Sequence, residues 1–78
     1  MKLHKIYADA YNEYTRAKSI HPEWPDDKIH QVAIVCEESG EALKAVLDHE
    51  YHGKPLQDVK TELIQTLAMC IRCLENIA

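Results

Sequence analysis

Two breaks decide what this chain can fold into. The first is His21-Pro22-Glu23-Trp24-Pro25; the second is His52-Gly53-Lys54-Pro55. Proline cannot continue a helix interior and glycine favours helix ends, so each cluster stops one helix and starts the next. Three segments remain, about 3–19, 26–51 and 55–77. The first places Leu3, Ile6, Tyr7, Ala10, Tyr14 and Ala17 at three- and four-residue spacing, one face of an amphipathic helix. The second begins after Pro25 with Asp26-Asp27, residues that cap a helix and suit the positive end of its dipole. Its main apolar stripe is Ile29, Val32, Cys36, Leu43 and Leu47. The third starts near Pro55, which a first helical turn tolerates, and its stripe is Leu56, Val59, Leu63, Leu67, Cys70, Leu74 and Ile77. No run alternates with period two, so no strand is expected.

The expectation is an all-α fold: a small antiparallel bundle of about three helices, residues 1–78 forming one domain. At 78 residues the core is thin, and domains below about 80 residues often rely on disulfides, metals or oligomerisation. The second and third segments are apolar well beyond one stripe, which predicts a second buried face and completion by a homodimer or tetramer. Three cysteines, Cys36, Cys70 and Cys73, do not resemble a secreted disulfide framework. They read as buried free thiols. The net charge of −4 argues against a binder of nucleic-acid polymers, which would carry a basic face. No apolar run approaches the roughly 18 residues of a membrane span. With no apolar stretch behind Met1-Lys2-Leu3-His4-Lys5, no signal peptide is read, and a cytoplasmic protein is expected.

The chemistry lies in the glutamates. The second segment carries Glu37-Glu38-Ser39-Gly40-Glu41. Glu38 and Glu41 share one helix face, beside Ile34, Ala42 and Ala45, while the solvated stripe is His30, Glu37, Lys44 and Asp48. The third segment carries Glu62, on an arc with Thr66, Met69 and Cys73, and Gln65 nearer the polar edge. Glutamates three apart on a helix are usually a solvated face. Carboxylates on a partly apolar arc, however, need compensation, from a metal ion or from Arg or Lys. If the second and third helices pack antiparallel, Glu38, Glu41, Glu62 and Gln65 face one cleft. Three carboxylates and an amide oxygen form the all-oxygen cage that Mg²⁺ or Mn²⁺ prefers.

Glu37-Glu38-x-x-Glu41, followed by Glu62-x-x-Gln65, resembles the EExxE…ExxD signature of the all-α NTP pyrophosphatase superfamily. The flanking His21-Pro22-Glu23-Trp24-Pro25, Ala33-Ile34-Val35-Cys36 and Glu62-Leu63-Ile64-Gln65-Thr66 are similar to MazG-like proteins in particular, over residues 21–77. The resemblance implies that Glu38, Glu41 and Glu62 are metal ligands and that Gln65 stands in the fourth ligand's place, normally Asp. It also implies that Glu37 positions or deprotonates water. The implied activity is Mg²⁺-dependent hydrolysis of a nucleoside triphosphate to monophosphate and pyrophosphate. Gln65 removes one negative charge and should weaken metal binding. A non-catalytic nucleotide-binding or oligomeric scaffold is the alternative.

Trp24 and Lys28 are the substrate-side candidates, Trp24 for stacking on a base and Lys28 for phosphate. The ordinary roles are packing over a helix end for Trp24 and surface solubility for Lys28, as for Lys54, Lys60 and Arg72. Cys70-x-x-Cys73 with His49 and His52 would make a zinc site only if all four converged.

Overall fold

A computed structural model describes residues 1–78. Three helices follow one another, α1 (Leu3–Ile20), α2 (Lys28–His52) and α3 (Leu56–Asn76), and there is no strand. Asp27 caps α2, its carboxylate accepting from the His30 N–H at 2.9 Å. Gly53 ends α2 at φ 66°, a left-handed conformation that glycine adopts without Cβ strain. Pro55 stands just before α3 rather than within its first turn, and Asp58 in that turn suits the helix dipole. No helix is long and apolar enough to cross a membrane.

α3 is the central element. It packs along α2 and against α1, while the backbones of α1 and α2 stay apart. The core is a small cluster of Tyr14, Ala17, Ala68 and Met69, with Trp24, Ile34 and Val35 packed onto it. Small residues at the contacts let the helices approach closely: Ala10 and Ala17 on α1, Ala42 on α2 and Ala68 on α3 are all buried. No large side chain is fully buried.

Polar ties hold the outer elements to α3. Tyr14 donates to the Glu75 carboxylate, 2.6 Å from each oxygen, and Lys18 reaches both groups. Arg72, 3% exposed, donates to the carbonyls of His21 and Glu23 and lies 4.8 Å from the Trp24 ring centre. The sequence places Arg72 among surface cations; instead it is the post around which the α1–α2 connection is wound. Gln31, also buried, donates to the Asp26 carbonyl of the same connection.

The apolar stripes are where the structure departs most from expectation. Of the α2 stripe, Ile29, Val32, Cys36, Leu43 and Leu47 all face outward. The inward face of α2 is instead Gln31, Ile34, Val35, Glu38, Ala42, Ala45 and Val46. On α3, Leu56, Leu63, Leu67 and Leu74 are exposed, while Ala68, Met69, Arg72 and Cys73 are buried. Ala42 and Ala45 lie on the inward face of α2, and the bulkier aliphatic rows are left on the other side. Cys36 is accordingly exposed, contrary to its reading as a buried thiol, while Cys73 is buried and Cys70 partly so.

Candidate functional site

Glu38 sits in the middle of the inward face of α2, between Val35 and Ala42, because each lies about one helical turn away. Its carboxyl is half-buried, and its pKa is raised. Burial is the main cause, followed by the nearby charges of Glu62, Glu41, Glu37 and Glu13. Five carboxylates from all three helices thus share one region. None of Glu37, Glu38, Glu41 or Glu62 is paired with a lysine or arginine. The ion pairs lie elsewhere, at Lys5–Asp9, Arg16–Glu13, Lys18–Glu75 and Lys44–Asp48.

Two clefts divide the expected set. Glu38 and Gln65 border a cleft of about 380 Å³ that also meets Glu13, Arg16, Trp24 and Met69. Glu41 and Glu62 border a smaller one of about 220 Å³, with Asp58, Thr61 and the Lys44–Asp48 pair. The first is in the size range of small-molecule sites. Glu37 is exposed and borders neither. Trp24 lines the larger cleft, one face against Arg72, and its indole N–H is buried without a partner. Lys28 opens α2, exposed, and lines neither cleft. His49 is engaged with the Lys54 carbonyl at 2.7 Å, and no zinc cluster forms with Cys70 and Cys73.

No three His, Cys, Asp or Glu side chains stand close enough to hold an ion as they are placed. Two features nonetheless fit a divalent cation. One oxygen of Glu62 is buried with no hydrogen-bond partner, and an orphaned charged acceptor is costly unless something binds it. The donors on offer are carboxylates and an amide oxygen, hard ligands suited to Mg²⁺ or Mn²⁺.

Three residues at the site escaped the sequence reading. Asp58 lies one turn before Glu62, and the four-residue spacing was available as a signal. Glu13 and Arg16, joined at 2.8 and 2.6 Å, come from α1, and no local pattern links them to glutamates on other helices. Compared with family models, curated proteins and solved structures, the chain matches none.

Proposed function

We propose that the chain is an Mg²⁺-dependent nucleoside triphosphate pyrophosphohydrolase of MazG-like type, active as a homo-oligomer. One observation carries the reading: Glu38 is half-buried among four other carboxylates, with no basic side chain bonded to it. Such an arrangement is destabilising in itself. It becomes favourable when a divalent cation joins the group. Glu38, Glu41 and Glu62 would hold the ion, with Gln65 offering its amide oxygen. When bound, Mg²⁺ or Mn²⁺ neutralises phosphate charge and makes a coordinated water more acidic.

The side chains have distinct parts in this chemistry. Arg16 borders the Glu38 cleft and is more than half exposed, free to exchange Glu13 for a phosphate oxygen. Trp24, Ile34 and Met69 offer the same cleft an apolar end for a base. Glu37, exposed beside Glu38 on α2, would accept a proton from the attacking water. Water oxygen bonds to the α-phosphorus, and the bond from that phosphorus to the α–β bridging oxygen breaks. The monophosphate and pyrophosphate leave.

A second reading, a nucleotide-binding or oligomeric scaffold without efficient chemistry, is favoured by Gln65, whose neutral amide weakens the hold on a cation. Pyrophosphate release from a panel of NTPs and dNTPs with Mg²⁺ or Mn²⁺ separates the two. The enzyme reading expects metal-dependent release that Glu38→Gln abolishes. Release from Gln65→Asp alone would establish the scaffold. No release from either protein would overturn the catalytic reading.

A further inference from the structure

We propose that Glu13 of α1 supplies the carboxylate that Gln65 lacks, turning from Arg16 to the divalent cation when the ion binds. The inference rests on the divalent-cation part of the proposed function. It adds a ligand from a third helix, outside both glutamate motifs.

The α1 wheel carries Glu13 inward. Glu13 lies three residues after Ala10 and four before Ala17, both buried on the face that α1 turns to α3. Its side chain is accordingly 16% exposed, against 56% for its partner Arg16. The two ends of this ion pair therefore differ: the guanidinium stands in water and the carboxylate faces the clefts.

Glu13 and Gln65 meet at the same place. Both border the cleft of about 380 Å³ that holds Glu38, and both border a third cleft, of about 440 Å³, between α1 and α3. Glu13 is also one of the charges that act on Glu38, after burial and the charges of Glu62, Glu41 and Glu37. Glu23 borders the Glu38 cleft too, but it is exposed on the α1–α2 connection and is not among those charges.

Without an ion, Arg16 balances Glu13 through two bonds of 2.8 and 2.6 Å. Releasing it costs little, because the exposed guanidinium returns to water and an ion pair of this kind contributes little stability. Glu13, Glu38 and the Gln65 amide oxygen then offer hard donors from three helices in one cleft, as Mg²⁺ or Mn²⁺ prefers. The negative charge missing at Gln65 is restored from α1. Arg16, freed at the border of the same cleft, is left to meet a phosphate oxygen.

Mn²⁺ titration followed by electron paramagnetic resonance tests this on the native protein, Glu13→Gln, Asp9→Asn, and Glu13→Gln combined with Gln65→Asp. Asp9 lies one turn before Glu13, is paired with Lys5 at 2.6 Å and does not border the Glu38 cleft, so Asp9→Asn removes the same charge away from the site. Glu13→Gln should weaken Mn²⁺ binding by at least about tenfold. Asp9→Asn should change it by less than about twofold, as expected of a solvent-screened charge. Adding Gln65→Asp to Glu13→Gln should recover the binding, which also shows that the fold survives the first substitution. Binding by Glu13→Gln that equals the native protein's, an equal loss in Asp9→Asn, or no recovery with Gln65→Asp would each overturn Glu13 as a ligand and leave the divalent-cation reading standing. Native protein that leaves all Mn²⁺ free would overturn that reading itself, and this ligand with it.

Discussion

Glu38 holds its proton more tightly in the folded chain than in the unfolded one, because burial and four neighbouring carboxylates disfavour its charge. The folded state binds more protons, so stability declines as pH rises from the ordinary carboxylate range through the raised value of Glu38. Glu38→Gln should therefore raise the melting temperature in chelator-treated buffer at neutral pH and flatten that decline. Thermal melts across pH check it; an unchanged or lowered melting temperature at neutral pH would count against a strained carboxylate. Arg72 is the opposite case, a charge that is spent on structure. Arg72→Met keeps its bulk but strips the His21 and Glu23 carbonyls of their donor. The expected loss is about 1–3 kcal/mol in denaturant unfolding, with a red shift of Trp24 fluorescence. No local pattern made this role of Arg72 visible. The available clue was indirect: a connection with two prolines leaves carbonyls that no helix serves, and some buried donor has to meet them.

At the scale of the element, α1 is the least secured helix. Its backbone packs closely on α3 alone, through small residues and the Tyr14–Glu75–Lys18 group. The hydrogen bond from Tyr14, and then that from Lys18, hold the Glu75 pKa below its ordinary value. That contribution is present above the ordinary carboxylate range and is lost as pH falls through the lowered value of Glu75. Tyr14→Phe should weaken this acid dependence and speed amide exchange in α1 before α2 or α3; equal exchange in all three helices would contradict it. Helix boundaries were readable because proline, glycine and the Asp27 cap act locally. Orientation was not. α2 is apolar on two sides, and periodicity shows that a stripe exists without showing which neighbour covers it. The row with the larger side chains, Ile29 to Leu47, looked like the core, yet alanines and Glu38 take that place.

The whole molecule presents one carboxylate cleft among α1, α2 and α3, a second between α2 and α3, and exposed aliphatic rows elsewhere on α2 and α3. That Glu38 shares a helix face with Ala42 and Ala45 was legible from spacing; that Glu38 and the Glu41–Glu62 pair border separate clefts was not. The contributions of Glu13 and Arg16 were not, because they reach the site only through the packing of α1 on α3. The proposed function requires the carboxylate region to bind a divalent cation. Titration of the native protein with Mn²⁺, followed by electron paramagnetic resonance beside Glu38→Gln and Glu62→Gln, tests it most directly. The expected result is saturable Mn²⁺ binding that Mg²⁺ displaces and that each substitution weakens by at least about tenfold. Native protein that leaves all Mn²⁺ free, or substituted proteins that bind as the native one does, would contradict it.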